Sequence, residues 1–193
     1  MLENLKKYHI VLASNSPRRK ELLAGLDVDY EVRIVPGIDE SYPDTLSGEE
    51  IPQYISRKKA EAYERTMGRD ELVITADTIV WSEGQVLGKP HSEAEACRML
   101  GMLSGRTHEV ITGVTLMTAS EKRTFAVVSE VTFDNLSEEE IRYYVDRYRP
   151  MDKAGAYGIQ EWIGYVGVSS LRGSYFNVMG LPVQRLYKEL KTL

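Results

Sequence analysis

Residues 10–25 read IVLASNSPRRKELLAG, an apolar run that passes through small polar residues into a basic segment with a helical pattern. The apolar run predicts a strand. Ser16 followed by Pro17 is typical of a helix N-cap and first turn, where the missing N–H of proline costs nothing. A strand that leads directly into a helix is the repeating unit of α/β proteins. The segment therefore predicts an α/β fold.

The same segment is a candidate anion site. Backbone N–H groups at the helix N-terminus would meet the hydroxyls of Ser14 and Ser16 and the guanidinium groups of Arg18 and Arg19. A phosphate suits such a set of donors. These residues are equally typical of a capped surface helix with solvated basic side chains, so the segment alone leaves both interpretations open.

Length, composition and charge restrict the class of protein. The chain has 193 residues, of which 42% are hydrophobic, enough for one substantial core, so we expect a single domain over residues 1–193. Its formal net charge is -5. Binding to a nucleic-acid polymer needs a broad basic surface and is not expected, whereas an anionic small molecule remains compatible.

The sequence also predicts a compartment. Cys97 is the single cysteine, so no intramolecular disulfide can form, as suits a reducing cytoplasm. The first residues lack the apolar core of a signal peptide, and no apolar run reaches the roughly 18 residues that a membrane span requires. We therefore expect a cytoplasmic protein without a membrane partner.

Hydrophobic periodicity predicts alternating strands and helices along the chain. The expected strands are residues 9–13, 30–35, 72–81, 85–87, 108–118 and 123–133. The expected helices are residues 17–24, 51–66, 92–103, 137–148 and 182–190. The two longest strands alternate in polarity and predict an antiparallel hairpin. The glycine-rich stretch 155–180 receives no assigned element.

Asp77 interrupts the apolar run 72–81. Burying a carboxylate there is costly without a cation, a metal or several hydrogen bonds, so Asp77 is a candidate functional residue. Residues 85–87 could pair with this strand across a turn at Glu83-Gly84, and Lys89, held between a glycine and a proline, could then reach back toward Asp77 across the two strands. The alternatives are a strand end or bulge at Asp77 and a solvated loop lysine at Lys89.

Residues 152–160 read DKAGAYGIQ and combine charges, glycines, an aromatic ring and an amide. Glycines allow a backbone to approach a ligand closely. Tyr157 could stack on a base, and Gln160 offers a donor and an acceptor to its edge. The alternative is a structural turn with a surface pair between Asp152 and Lys153, which would contribute little.

No zinc motif, nucleophile elbow, Walker loop or Rossmann glycine fingerprint is present in the sequence. His108 alternates with Val110 in a predicted strand, which indicates a buried, hydrogen-bonded histidine better than a metal ligand. The residues alone therefore identify no metal ligands.

Seven segments, taken together and in order, resemble the Maf family of nucleoside triphosphate pyrophosphatases, and the likeness covers essentially the whole chain. The segments are residues 14–19, 37–40, 76–78, 88–90, 104–108, 152–160 and 173–182. The resemblance implies a Maf/inosine-triphosphatase-like α/β fold, with an elongated mixed β-sheet flanked by helices and a nucleotide cleft. It also suggests a homodimer.

The resemblance further implies hydrolysis between the α- and β-phosphates, giving a nucleoside monophosphate and pyrophosphate with a divalent cation, Mg²⁺ or Mn²⁺. Residues 154–160 resemble the dTTP/UTP subgroup rather than the subgroup linked to 7-methyl-GTP. Asp77 matches the proton acceptor of the family. The charged positions of the family's nucleotide cleft correspond to Glu40, Lys59 and Lys89 of this chain. Positions associated with substrate choice match Arg19, Thr78 and Gln160.

We therefore expect the N-terminus of the first predicted helix, with Ser14, Ser16, Arg18 and Arg19, to hold a triphosphate while Asp77 orients or deprotonates water. An ordinary aspartate is a weak base at neutral pH, so this role needs raised basicity or a metal that acidifies the water. Two other functions stay open: a nucleotide-binding regulator of cell division with little catalysis, and a phosphatase that releases orthophosphate. The co-occurrence of Asp77, Glu40 and Lys89 favours the pyrophosphatase.

Overall fold

A computed structural model, which describes residues 2–193, has a mixed β-sheet with seven strands. The strands are β1 (His9–Leu12), β2 (Glu31–Val32), β3 (Glu71–Ser82), β4 (Gln85–Leu87), β5 (Thr107–Met117), β6 (Lys122–Phe133) and β7 (Val168–Arg172). Their order is β2-β1-β3-β5-β6-β7, with β4 also paired to β3. β1 is parallel to β2 and β3, whereas β4 and β7 are antiparallel to β3 and β6. The predicted α/β fold with a mixed sheet is confirmed.

Helices connect most of the strands. They are α1 (Pro17–Ala24), α2 (Glu50–Glu61), α3 (Glu93–Leu103), α4 (Glu138–Tyr148), α5 (Trp162–Gly167), α6 (Tyr175–Met179) and α7 (Val183–Leu190). Short 3₁₀ turns form at Glu3–Lys7 and Ala154–Ala156. Across residues 2–193, we find no helix that combines the length and the apolar character needed to traverse a bilayer.

The structure differs from the sequence prediction in three places. β2 contains only Glu31–Val32 of the predicted strand 30–35. α2 ends at Glu61 rather than at residue 66, because the chain then tightens into turns in which the Thr66 N–H donates to the Tyr63 carbonyl. The stretch 155–180 contains α5, β7 and α6, all of which the periodicity analysis missed.

The chain forms two compact units. The first comprises the residues through Asp77 together with 112–127 and 180–193, and the second comprises residues 78–111 and 128–179. Three strands, β3, β5 and β6, contribute residues to both units. The expectation of a single domain over residues 1–193 stays a prediction.

In the first unit, α2 packs on the sheet through an apolar cluster of Val11, Ala60, Tyr63, Val73 and Met117. A close approach at Gly113 of β5 makes this packing unusually tight. A Cβ at that position would lie 2.3 Å from the carbonyl carbon of Pro52, in the first turn of α2. The glycine therefore brings the backbone of α2 close to the sheet.

The turns between strands follow from the sequence. Glu83 and Gly84 join β3 to β4 with φ of 51° and 79°, as in the type I′ turn that favours glycine, so this predicted hairpin is confirmed. β5 and β6 are neighbours joined by only residues 118–121, a connection too short for parallel strands, so the predicted antiparallel hairpin is also confirmed.

Candidate active site

Lys59 of α2 lies between two carboxylates of the first unit. Its Nζ is 2.8 Å from Asp77 Oδ1 and 3.1 Å from Glu40 Oε1. The side chains of Lys59 and Asp77 are only 13% and 12% exposed, whereas that of Glu40 is about half exposed. An ion pair at this depth needs a partner for each charge, and Lys59 compensates the buried carboxylate of β3. Of the three kinds of partner that the sequence allowed for a buried Asp77, namely a cation, a metal or several hydrogen bonds, the structure provides the cation.

The loop that carries Glu40 is fixed by a second lysine of the same helix. Lys58 Nζ is 2.8 Å from Asp39 Oδ2 and also donates to the Ser41 carbonyl. The pKa of Asp39 is held well below its usual range, mainly by its hydrogen bond with Lys58 and then by Ser41. Two consecutive lysines of α2 thus hold two consecutive acids of the loop, but only the Lys59 pair includes the strand carboxylate.

The start of α1 has the predicted cap. Ser16 is the N-cap, and its Oγ accepts a hydrogen bond from the Arg19 backbone N–H at 3.4 Å. Ser14 is buried, and its Oγ accepts from the Ser16 N–H at 3.3 Å. Arg18 is partly exposed in the first turn. The segment therefore forms the helix N-terminus on which the anion-site prediction rests.

Arg19 connects this helix to the strand that carries the carboxylate. Its Nη1 donates to the Ala76 carbonyl at 2.9 Å and to Ser14 Oγ at 3.4 Å, and its Nε donates to the Gly180 carbonyl at 2.8 Å. Burial lowers the pKa of Arg19, and the charge of Asp77 acts in the opposite direction. The guanidinium stays charged, since arginine does not lose its proton in proteins.

Three predicted site residues belong to the second unit. Thr78 follows Asp77 directly in β3 and is partly exposed. Lys89 is exposed in the loop after β4, and the neighbouring Gly88 carbonyl accepts a hydrogen bond from the Gly155 N–H at 3.0 Å. Gln160 is partly exposed, but within the described residues its buried Oε1 has no hydrogen-bond partner. The expectation that Lys89 reaches Asp77 stays a prediction.

Residues 152–161 contain a buried charge at a position where one of the two sequence interpretations expected a surface pair. Lys153 is 8% exposed, and its Nζ lies 2.8 Å from Asp152 Oδ1 and 3.1 Å from Glu161 Oε1. The alternative of a surface pair is therefore wrong for Lys153, whereas Asp152 is exposed. Only the burial of Lys153, which depends on how the loop folds, would have revealed this.

Tyr157 lies in the core of the second unit. Its ring packs edge-on against His108 and Phe133, and its hydroxyl is 2.7 Å from His108 Nε2. Both Tyr157 and His108 are buried, and burial lowers the pKa of His108 from 6.5 to about 4. The prediction of a buried, hydrogen-bonded histidine is confirmed. The suggestion that Tyr157 stacks on a base is wrong, because the residue is only 5% exposed and its ring packs against His108 and Phe133.

The carboxylates beside Lys59 decide whether the site could hold a divalent cation. Among residues 2–193, no group of three or more histidine, cysteine, aspartate or glutamate side chains is arranged to hold a metal ion. Asp77 and Glu40 nevertheless meet at the same ammonium group, and both offer hard oxygen ligands. Mg²⁺ is usually held by one or two carboxylates together with ligand phosphates and water, so the pair fits such an ion.

The sequence is similar to that of known proteins along almost its whole length. The family described as "Maf: Maf-like protein" matches residues 9–193. A protein of Phocaeicola vulgatus named "dTTP/UTP pyrophosphatase" is 67% identical over 193 residues, which is 100% of both chains. Proteins with the same name from Bacteroides thetaiotaomicron and Parabacteroides distasonis are 64% and 63% identical and cover 100% and 99% of both chains.

Two solved structures share the fold. They are the Ham1 protein of Staphylococcus aureus, covering 94% of this chain and 98% of its own, and a HAM1 protein from Coxiella burnetii, covering 96% and 100%. Each has a TM-score of 0.51 at 18% sequence identity. At that identity the likeness concerns the arrangement of helices and strands alone, and it agrees with the mixed α/β fold.

Proposed function

The chain belongs to the Maf family, and we propose that it hydrolyses dTTP and UTP to the nucleoside monophosphate and pyrophosphate. The observation that carries the proposal is the buried Asp77, paired with Lys59, directly after the strand segment that Arg19 binds. The name "dTTP/UTP pyrophosphatase" belongs to relatives that match the chain over its full length. Every residue of the proposed site therefore lies within the matched region.

The start of α1 would bind the triphosphate. A capped helix N-terminus presents backbone N–H groups and a partial positive charge, which suit phosphate oxygens. Ser14, Ser16 and Arg18 would donate to the phosphates. Arg19 is anchored to backbone carbonyls, which gives its guanidinium a fixed direction before substrate arrives. Such preorganisation lowers the cost of binding.

Asp77 would orient the attacking water and accept its proton. Lys59 occupies Oδ1, so the second carboxylate oxygen is the one suited to the water. Lys59 and Lys89 would neutralise charge that builds up on the phosphates and on the leaving pyrophosphate. Holding water and phosphorus in line in this way removes much of the entropic barrier to the reaction.

A divalent cation would be held by Asp77 and Glu40 together with phosphate oxygens. When bound, Mg²⁺ or Mn²⁺ would supply charge neutralisation and acidify a water molecule. Glu40 is the more exposed of the two carboxylates and would be the easier one for Lys59 to release.

Gln160 would distinguish the base, and Arg19 and Thr78 would contribute to that choice. Uracil and thymine present an imide N–H between two carbonyl groups. A buried amide oxygen without a partner is costly, and an imide N–H would satisfy it. Cytosine carries an acceptor at the corresponding ring nitrogen, so it would leave the Gln160 oxygen unsatisfied. This complementarity supports a preference for UTP and dTTP.

Product analysis tests the proposal. The protein would be incubated with UTP, dTTP, CTP, ATP and GTP in Mg²⁺ or Mn²⁺, and the products separated by ion-exchange chromatography. We expect UMP and dTMP with equimolar pyrophosphate. Orthophosphate would indicate a phosphatase instead. Tight binding without turnover would favour the nucleotide-binding regulator of cell division.

Assembly and compartment complete the proposal. We infer a cytoplasmic homodimer from the family resemblance and from a chain with a single cysteine. Light scattering coupled to gel filtration would give the mass of the particle in solution, and a mass of one chain would contradict the dimer.

A further inference from the structure

We propose that Lys153, Glu161 and Tyr144 form a positioning network that fixes Gln160 and thereby sets discrimination between bases. The inference rests on the proposed function, in which Gln160 contacts the base. All four residues belong to the second unit. None of the three network residues needs to touch the substrate, so each would act through the loop between Lys153 and Glu161.

The first element of the network joins the two ends of this loop. Lys153 and Glu161 flank residues 154–160, and their side chains form an ion pair at 3.1 Å. Lys153 is buried, so its charge needs this partner and Asp152 to offset the loss of hydration. The pair therefore closes a short loop whose last residue is Gln160.

The second element holds the middle of the loop. The Tyr144 hydroxyl contacts Glu161 Oε2 and accepts a hydrogen bond from the Gly158 N–H at 3.0 Å. Burial is the main reason that the pKa of Tyr144 is raised, so the hydroxyl keeps its proton and donates it to the carboxylate. Tyr144 lies in α4, which gives the loop an anchor in a regular helix.

The loop itself has little regular structure to hold it. Gly155 and Ala156 both adopt left-handed backbone angles, with φ of 68° and 60°. A left-handed alanine is unfavourable and persists only when its surroundings enforce it. A Cβ at Gly155 would lie 2.7 Å from Val80 Cγ2, so the loop is also pressed closely onto β3.

These contacts hold the loop that ends at Gln160. Its side-chain oxygen is buried and unsatisfied, and it can read an imide N–H only from a defined position. Such recognition requires packing and hydrogen bonds to hold the recognising side chain within about 0.5 Å of the position in which it binds the base. The ion pair and the tyrosine fix the backbone on both sides of Gln160 and so provide that support.

Steady-state kinetics with UTP, dTTP and CTP would test the network in the full-length enzyme. We expect Tyr144→Phe and Glu161→Gln each to raise KM for UTP about tenfold, with kcat within about twofold of wild type. The ratio of kcat/KM for UTP to that for CTP should fall about tenfold. Glu138→Gln is the matched control, because it removes an exposed pair with Arg142 on the same helix as Tyr144, and it should behave as wild type.

A double mutant separates positioning from general destabilisation. If the network acts through Gln160, adding Glu161→Gln to Gln160→Ala should not lower base discrimination further. Folded variants with an unchanged UTP-to-CTP ratio, or an equal loss of kcat for all nucleotides, would overturn the inference. Calorimetric binding of UTP and CTP gives the same comparison without turnover. A wild-type enzyme that binds UTP selectively without hydrolysing it would therefore refute the proposed function and leave this inference measurable.

Discussion

Asp77 must meet two requirements, burial and ionisation. It is buried in a strand of apolar neighbours, and the proposed chemistry needs it ionised. Lys59 meets both demands with one ammonium group at 2.8 Å. Because Lys59 also binds Glu40, the loss of either carboxylate leaves the lysine with a remaining partner. Substitutions at Asp77 are therefore expected to affect chemistry more than folding.

Replacing Asp77 by asparagine should lower kcat for UTP by at least about 10²-fold, the scale of positioned general-base catalysis. The fold and the affinity for nucleotide should change little, since the amide keeps the shape of the side chain. Pyrophosphate release measures the first quantity, and circular dichroism with calorimetry measures the others. Glu64→Gln is the control, since Glu64 pairs with Lys122 rather than with a lysine of α2, and it should keep wild-type activity. Full activity in Asp77→Asn would remove Asp77 from the mechanism.

Only part of this constellation could be predicted from the residues themselves. The apolar run around Asp77 indicates that the carboxylate needs a cation, a metal or several hydrogen bonds, but it does not identify the partner. The pattern of residues offered Lys89, whereas the structure pairs Asp77 with Lys59, 18 residues earlier in the chain. That contact depends on how α2 packs on the sheet, which periodicity does not determine, and only the family resemblance pointed to Lys59.

The burial of His108 predicts that the stability of the folded protein depends on pH. The pKa of His108 is lowered by burial from 6.5 to about 4, so between those values the unfolded chain binds more protons than the folded protein. Stability should therefore be full above pH 6.5 and fall as the pH drops toward 4. The loss from this residue should reach about 3 kcal/mol. Urea unfolding at several pH values measures it.

The comparison variant for this experiment is His108→Gln, which keeps a hydrogen-bonding group next to Tyr157 but does not titrate. Its stability should fall less steeply than that of wild type between pH 6.5 and pH 4. Parallel curves for the two proteins would mean that His108 does not contribute to the acid sensitivity.

At the scale of elements, α2 is the helix that positions the candidate site. Its lysines bind the acids of the preceding loop and of β3, and its first turn contacts β5 at Gly113. The tight contact and the ion pairs lie on one helix of 12 residues. A shift of α2 would therefore move Lys59 relative to Asp77.

Gly113→Ala should test this link. The added Cβ would overlap the Pro52 backbone, which neither element can easily move, and overpacking of this kind costs about 1–3 kcal/mol. We expect lower thermal stability together with reduced kcat. Gly101→Ala in α3 is the matched control, because a Cβ there meets nothing within 4 Å and alanine favours helix. Equal behaviour of the two variants would argue against the close contact.

The elements that the sequence did not predict share a physical cause. α5, β7 and α6 are 6, 5 and 5 residues long, too short for a helical or strand period to emerge among glycines. β7 is recognisable because it pairs with β6, and that pairing is a long-range contact. The long strands and capped helices were predictable because their signals are local, such as Ser137 and Glu140 in the capping box of α4.

At the scale of the whole molecule, β3, β5 and β6 are each continuous through both compact units. Because each of these strands is one continuous segment of chain, loss of its hydrogen bonds in one unit would also loosen the part that lies in the other. We therefore expect residues 1–193 to unfold as a single domain. Scanning calorimetry should show one transition with a calorimetric enthalpy close to the van't Hoff value. Two resolved transitions would show that the units fold independently.

The lysine between two carboxylates also has a consequence for chemical labelling. Acylating reagents attack exposed amines, so Lys89 should be modified rapidly, whereas Lys59 is enclosed and engaged by Asp77 and Glu40. Mass spectrometry of the labelled peptides would give the ratio of modification at the two lysines. That ratio would serve as an internal gauge of whether α2 still rests against β3, and it can be read in inactive variants as readily as in the wild-type protein.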